Sequence, residues 1–216
     1  RDSLSRAVIK VFVDLYNEGL IYKDKRLVNW DPQLKTAISD LEVVQKEVDG
    51  CLWYINYPIK DSKETITIAT TRPETMFGDT AIAVHPNDNR YADLIGKDVI
   101  IPIIGRSIKI ITDEYADPEQ GSGAVKITPA HDFNDFEVGK RNNLEILSIL
   151  DTDGKLNENV DKEWQGLDRF EARSKLLKIL SEEGYLVKEE KYNNSVPHGD
   201  RSDVIIEPYL TEQWYV

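Results

Sequence analysis

The sequence predicts an α+β fold in which a mixed, β-barrel-like core of short strands is decorated by helices. Many short segments alternate apolar and polar residues or are continuously apolar, as strands are. Several of them are separated by tight-turn sequences. Only three segments are predicted to be helical. Numerous strands with few helices indicate a mixed barrel or sandwich with helices packed on it.

The first part of the chain is predicted to be helical and then extended. A helix is expected over Ser3–Glu18, where apolar residues recur at helical spacing and Gly19 marks the end. A charged turn is expected at residues 23–25. Extended chain should follow over Arg26–Pro32, because the residue before a proline avoids the helical region.

The segment after this is predicted to be a hairpin. Glu42–Val48 and Leu52–Tyr57 are typical of successive strands, and Asp49-Gly50 between them is typical of a two-residue hairpin turn. Further strands are expected at Thr65–Thr71, Ala81–Val84, Val99–Ile104, Ile108–Ile111, Gly123–Thr128 and Val204–Ile206.

Two later helices are predicted from their termini. One covers Asp132–Arg141. The other covers Arg169–Glu183, with Asp168 as its N-cap and Gly184 as its end.

The amino-acid composition and net charge exclude several classes of protein. The chain has 216 residues, one cysteine, three histidines and a net charge of −12. One cysteine excludes an internal disulfide, fits a reducing, cytoplasmic compartment and cannot build a cysteine-rich zinc site. No run is apolar enough for a membrane span. A free-standing nucleic-acid binder would normally be basic, so any contact with nucleic acid should be small or supplied largely by other parts of a longer protein.

Two polar runs carry the chemistry, and each follows a predicted strand. In the run from Thr70 to Thr80, Thr70 and Arg72 share one face of a strand that Pro73 ends, and Thr75 lies in the turn beyond. Thr71 belongs to the same segment. The expected role of this run is to deliver hydroxyls and a fixed cation to a pocket.

The second run, from Gly121 to Phe136, likewise places polar residues at the end of a predicted strand. Lys126 and Thr128 share a strand face that ends at Pro129, and Asp132 and Asp135 are neighbours on the helix that follows. No serine or cysteine stands in an activated setting. Such a pocket suits recognition of an aminoacyl group and hydrolysis of its ester by water.

Simpler interpretations exist for every one of these residues. Asp132 on its own is best explained as a helix cap, and Asp135 as an acid in the first turn. Arg72 is a candidate for a surface ion pair, Lys126 for a solvated side chain, and the threonines for ordinary strand residues. The lone His131 is more typical of a hydrogen-bonded structural residue than of a base.

Quoted together, the two runs resemble the editing domain of the valyl-tRNA synthetase family of class I enzymes. The resemblance covers nearly the whole chain and includes residues 25–32, 36–43 and 206–214. The His-Ile-Gly-His and Lys-Met-Ser-Lys-Ser signatures of class I synthesis are absent from it. The resemblance therefore implies three parts: flanking connections at 1–45 and 195–216 that lead to a catalytic domain, and an editing core at 46–194.

The resemblance also implies a function. It implies a deacylase that hydrolyses threonine from mischarged valine tRNA, with no ligase activity of its own and no cofactor, since ATP and Mg²⁺ would serve the catalytic domain. A hydrophobic pocket rejects threonine only about 10²-fold against valine, a limit for which valyl-tRNA synthetases are the standard example, so a second site is needed. The expected partners are the threonine-bearing 3′ end of the tRNA and the rest of the synthetase.

The resemblance further implies roles for individual residues. Asp135 matches the acid that holds the substrate ammonium, and Asp132 is the candidate acceptor for the threonine hydroxyl. Arg72 and Lys126 are candidate electrostatic partners of the terminal nucleotide or the oxyanion, and which does which stays open. The remaining pocket positions are Thr70, Thr71, Thr75 and Thr128.

Two other functions stay open at this point. One is a metal-dependent hydrolase with His131, Asp132 and Asp135 as ligands. The other is a module that only positions tRNA and catalyses nothing.

Overall fold

The computed structural model describes residues 2–215, which form three α-helices and ten strands. The helices are α1 (Asp2–Asn17), α2 (Phe133–Arg141) and α3 (Arg169–Glu182). The strands are β1 (Tyr22–Asp31), β2 (Thr36–Ile38), β3 (Val43–Pro58), β4 (Thr65–Thr70), β5 (Ala81–Val84), β6 (Asp98–Ile100), β7 (Ser107–Thr112), β8 (Ala124–Ile127), β9 (Leu186–Gly199) and β10 (Glu207–Tyr215). Short 3₁₀ turns occur at Asp40–Glu42, Pro73–Gly78 and Ala92–Leu94. The predicted α+β class is confirmed.

The strands of the described part of the chain form three sheets rather than a closed barrel. Their orders are β10-β1-β2, β4-β3-β9 and β6-β7-β5-β8. In the last sheet, β5 pairs parallel to β7 and antiparallel to β8, and all four of its residues are buried. The expectation of a barrel-like core is therefore met only as a mixed, strand-rich core.

The predicted hairpin turn at Asp49-Gly50 is wrong. Residues 43–58 form one continuous strand, and Asp49 and Gly50 pair with Asn193 and Tyr192 of β9. Gly50 does not adopt the positive φ that a turn of this kind requires. The partner strand β9 was not predicted, because nearly all of its side chains are exposed or half-buried and its sequence shows no apolar alternation.

Three smaller expectations also need correction. Residues 23–25 do not turn: they lie in β1 and pair with residues 212–214 of β10. The strand predicted at Val99–Ile104 stops at Ile100, and the chain turns back through Ile103, whose φ is +69°. The hairpin itself is present, since β6 and β7 pair antiparallel. At Val204–Ile206 the chain forms only an isolated bridge to β9, and the strand begins one residue later.

The arrangement of β4, β5 and β8 positions the two polar runs. Ile66, Ile68 and Thr70 alternate into the interior along β4, and β4 lies against β8. At Gly121, which has a φ of +56°, an added Cβ would lie 2.8 Å from the Ala69 Cβ, so the loop before β8 touches β4 directly. The ends of β4 and β8 therefore meet at one place.

The proposed division of the chain stays a prediction. The boundaries at 45/46 and 194/195 fall inside β3 and β9, which pair from Val43↔Gly199 onward. Within the described residues, no helix is long and apolar enough to cross a membrane.

Candidate active site

A cavity of about 660 Å³ opens where β4 and β8 end. All eight side chains predicted from the sequence line it: Thr70, Thr71, Arg72, Thr75, Lys126, Thr128, Asp132 and Asp135. Two runs that are about fifty residues apart in sequence thus build one pocket.

The first run is shaped by the strand end and the 3₁₀ turn. The Thr70 hydroxyl oxygen accepts the Arg72 backbone N–H at 3.1 Å, and Arg72 is the residue that precedes the 3₁₀ turn beginning at Pro73. The Thr75 hydroxyl donates back to the Arg72 carbonyl oxygen at 2.9 Å. Thr71 is half-buried on the cavity wall.

The second run is shaped by β8 and the start of α2. Asp132 caps α2, since its Oδ1 accepts the backbone N–H groups of Asn134 and Asp135 at 2.8 and 3.0 Å. The simpler interpretation of Asp132 is thus correct for Oδ1, while Oδ2 takes no part in the cap. Asp135 is buried and accepts the Thr128 backbone N–H at 2.8 Å.

Lys126 is not solvated but only 6% exposed. Its ammonium donates to Thr75 Oγ1 at 2.7 Å, to Asp79 Oδ1 at 2.8 Å and to Thr128 Oγ1 at 2.5 Å. An ammonium has three N–H donors, so these three acceptors use all of them. Lys126 therefore organises the pocket wall and has no donor left for a ligand.

Asp79 is a buried residue of the cavity wall network that the sequence reasoning missed. It is fully buried, accepts the Thr128 hydroxyl at 2.6 Å and accepts the Tyr57 hydroxyl at 2.7 Å. The register Ala81↔Ile127, continued past the end of β5, brings Thr80 level with Thr128, and Asp79 is the next residue along. Asp79 stands inside the first run, but its partner Tyr57 is on a different strand and gives no local signal.

Arg72 belongs to a chain of buried ion pairs rather than to the surface. Its guanidinium donates to Glu207, to Glu74 at 3.3 Å and to the His131 carbonyl oxygen at 2.9 Å. Burial alone would lower the pKa of Arg72, but the Glu207 and Glu74 carboxylates outweigh it and raise the pKa. Glu74 is held in turn by Arg173 at 2.7 Å.

This network holds the Arg72 guanidinium in place but leaves some of its N–H donors free. A guanidinium has five N–H donors, and three protein contacts leave two of them for a ligand. Glu207 also pairs with Arg169 of α3 at 2.7 Å. Glu74 and Glu207 were not predicted as site residues. Glu207 lies 135 positions from Arg72, so no local pattern connects the two.

Asp135 has a strongly perturbed acidity. Burial, followed by the nearby charge of Asp132, raises its pKa to about 7, against the opposing effects of Lys126 and the Thr128 N–H. Burial together with Asp135 and Asp132 also raises the pKa of Tyr115, another cavity residue, to about 12. A carboxyl group that lines a cleft and has a pKa near 7 is typical of a functional site.

The wall of the cavity is rich in acceptors. Thr75 and Thr128 direct their hydroxyl protons to protein oxygens and accept from Lys126, which leaves each a free lone pair for a ligand. Among the described residues, no donor reaches Asp135 Oδ1 or Asp132 Oδ2. Such a wall suits a cationic, donor-rich group such as an α-ammonium.

The side chains considered as metal ligands do not form a metal site. In the part of the chain that the structure describes, no group of three or more His, Cys, Asp or Glu side chains is placed to hold an ion. His131 directs its Nε2 to the Ile149 backbone N–H at 2.9 Å, and Asp132 Oδ1 is occupied by the helix cap.

Comparison with known proteins gives the family. The model of the class I tRNA synthetases (I, L, M and V) matches residues 1–216. The chain is 65% identical over 215 residues to a valine–tRNA ligase of Pelagibacter ubique, covering 100% of the chain and 25% of the relative. It is 57% identical over 238 residues to that of Mesorhizobium japonicum, covering 99% and 26%.

A solved structure shows a similar fold. It is the crystal structure of a ternary LeuRS–tRNA–LeuAMS complex from Agrobacterium radiobacter, with a TM-score of 0.52 and 20% identity over 92% of this chain and 35% of that chain. The chain spans about a quarter of the length of the valine–tRNA ligases that it matches. The resemblance seen in the sequence is thus confirmed: the chain belongs to the class I tRNA synthetases, and its close relatives are valine–tRNA ligases.

Proposed function

We propose that this cavity is a post-transfer editing site, which hydrolyses the ester of threonine attached to valine tRNA. The observation that carries the proposal is the acceptor-rich wall around Asp135, built from both polar runs. Asp135 holds the α-ammonium, and Asp132 accepts the threonine hydroxyl. The expected setting is the cytoplasm, within a longer synthetase.

Selectivity follows from hydrogen bonding. Threonine offers a hydroxyl donor to an acceptor in the wall, whereas valine would place a methyl group there. Each buried polar group left unpaired costs about 1–3 kcal/mol, so valine is disfavoured. This is the opposite preference to that of an apolar synthetic pocket, as a second sieve requires.

The reaction is ester hydrolysis by water. Water adds to the carbonyl carbon, the C=O electron pair moves onto oxygen, and collapse of this intermediate breaks the bond to the ribose oxygen, which takes up a proton. The products are free threonine and the uncharged tRNA. Arg72, with two N–H donors free, and Lys126, as a buried charge, stabilise the developing negative charge. No cofactor takes part.

The tRNA end has a path to the site. A second groove of about 740 Å³ shares Thr71, Arg72, Asp132 and Asn194 with the cavity, so the two spaces adjoin. Its walls carry the aromatic side chains of residues 53, 133 and 170, on which unpaired bases can stack. The chain is acidic overall, so most of the affinity for tRNA is assigned to the rest of the synthetase.

The test is deacylation by a full-length synthetase that contains this chain. Threonyl-tRNA(Val) should be hydrolysed much faster than valyl-tRNA(Val), and Asp135→Ala should abolish the activity without loss of fold. Equal rates on the two substrates would exclude editing selectivity. If Asp135→Ala kept full activity, the module would be one that positions tRNA while hydrolysis occurs elsewhere. Activity lost on treatment with a strong chelator would favour a metal-dependent hydrolase.

A further inference from the structure

His131 is a buried histidine whose proton can be placed. Its side chain is 1% exposed, and its Nε2 accepts the Ile149 backbone N–H at 2.9 Å. Burial, with the adjacent charges of Arg72 and Lys126, lowers its pKa to about 3, so the ring is neutral at physiological pH. A neutral imidazole that accepts at Nε2 carries its proton on Nδ1.

This Nδ1–H has no partner. Among the described residues, no acceptor reaches His131 Nδ1, although the atom is shielded from solvent. An unpaired buried donor costs about 1–3 kcal/mol, and native structures rarely retain one without a reason. The reason offered by the geometry is a ligand.

The structure shows which edge of the ring faces the 3₁₀ turn. A Cβ built on Gly78 would lie 3.4 Å from His131 Cδ2, so the Cδ2 edge of the ring faces the 3₁₀ turn. Nδ1 is on the other edge, and His131 is one of the residues that line the cavity. Lys126 uses all three of its donors within the protein, so an N–H on His131 would act on the oxyanion together with the two free donors of Arg72.

We propose that the Nδ1–H of His131 donates a hydrogen bond to the carbonyl oxygen of the bound aminoacyl ester. The inference rests on the proposed editing function and adds a catalytic residue to it. As water adds to the carbonyl carbon, the negative charge that develops on this oxygen strengthens the bond. His131 keeps its proton throughout, since it acts as a fixed donor and not as an acid or base.

Two substitutions separate this role from a purely structural one. The amide of His131→Asn can place an N–H donor close to the position of Nδ1 but cannot reach the Ile149 N–H. The amide of His131→Gln can place an oxygen near the position of Nε2, so it keeps the bond to Ile149 and loses the Nδ1 donor. Each variant therefore retains one of the two hydrogen-bonding functions of the histidine ring.

The experiment measures threonyl-tRNA(Val) deacylation and thermal unfolding of the full-length synthetase. His131→Gln should keep the wild-type melting temperature and KM but lose about 10²-fold in kcat, the usual effect of removing one oxyanion donor. His131→Asn should melt at a lower temperature yet keep a higher kcat than His131→Gln. The reverse ranking, in which activity follows stability, would overturn the inference.

Failure of this inference can be told from failure of the editing function. If the wild-type enzyme leaves threonyl-tRNA(Val) intact, the function fails and the inference with it. If the wild type is active and His131→Gln is equally active, only the inference fails. Should a variant not fold, the wild-type complex with a non-hydrolysable threonyl-adenosine amide decides: Nδ1 must lie within hydrogen-bond distance of the amide oxygen, and a longer separation overturns the proposal.

Discussion

Replacing Asp135 by asparagine should make the fold more stable above neutral pH while it removes the binding of an ammonium group. Asn has nearly the same size, and its oxygen can still accept the Thr128 N–H, which is 2.8 Å from the carboxylate in the wild type. What it removes is the cost of ionising a carboxyl group that is 6% exposed and faces Asp132.

The magnitude follows from the acidity of this group. The pKa is about 7 in the folded protein against an ordinary 3.8. At about 1.36 kcal/mol per pH unit, the wild type carries a penalty of about 4 kcal/mol once both states are ionised. Since the folded pKa is the higher one, stability is greatest below about pH 4 and is lost as pH rises to about 7. As pH rises from about 5 to about 8.5, the free energy of unfolding of the wild type should fall by about 3 kcal/mol because of Asp135.

The assay is denaturant unfolding of the chain and the Asp135→Asn variant at about pH 5 and about pH 8.5. The difference in free energy of unfolding between Asp135→Asn and the wild type should be about 3 kcal/mol more in favour of the variant at the higher pH than at the lower one. Asp113→Asn is the control, because hydrogen bonding to Arg141 holds the pKa of Asp113 at about 2. The contribution of Asp113 to stability is lost only as pH falls towards that value. The effect of Asp113→Asn on stability should therefore be the same at the two pH values of the assay. If Asp135→Asn shows the same stability difference at both pH values, Asp135 is not a raised-pKa carboxyl, and the reasoning is refuted.

Three further results are expected. Lys126→Met should destabilise the fold by about 3–5 kcal/mol in denaturant unfolding, because it leaves the buried carboxylate of Asp79 without its counter-ion. The exposed control Lys109→Met should cost under about 1 kcal/mol, and equal costs would contradict the buried pairing. Gly78→Ala should cost about 1–3 kcal/mol and lower kcat, because its Cβ would lie 3.0 Å from the Thr128 Cγ2, and unchanged unfolding and kinetics would contradict that close approach. Binding of a non-hydrolysable threonyl-adenosine to the full-length enzyme, followed by calorimetry, should weaken as pH falls below about 7, where Asp135 takes up a proton; pH-independent affinity between about 5.5 and 8.5 would contradict an ionic contact.

The candidate site could be predicted because its signals are local. A strand that ends at a proline, with polar residues two apart before it, places those side chains on one face whatever the rest of the chain does. Thr70 ends β4 and Lys126 lies in β8, whereas Arg72 and Thr128 follow these strands; all four nevertheless line the cavity. The helix cap at Asp132 was equally local.

The parts that escaped prediction depend on long-range pairing. The turn preference of Asp49-Gly50 was outweighed by pairing with β9, a strand more than 130 residues away with no apolar alternation. The burial of Lys126 could not be read from a lysine in a short strand, because it depends on the pairing of β5 with β8, which brings Asp79 to it. Glu207 meets Arg72 only through the folded chain.

The central claim is that Asp135 and the wall around it bind the amino acid of a mischarged tRNA end. The most direct test is a crystal structure of the full-length synthetase with a non-hydrolysable threonyl-adenosine analogue. The account predicts that the threonyl ammonium lies at hydrogen-bond distance from Asp135, with its hydroxyl at Asp132. An analogue bound outside this cavity, or one that turns its ammonium away from Asp135, would contradict the account.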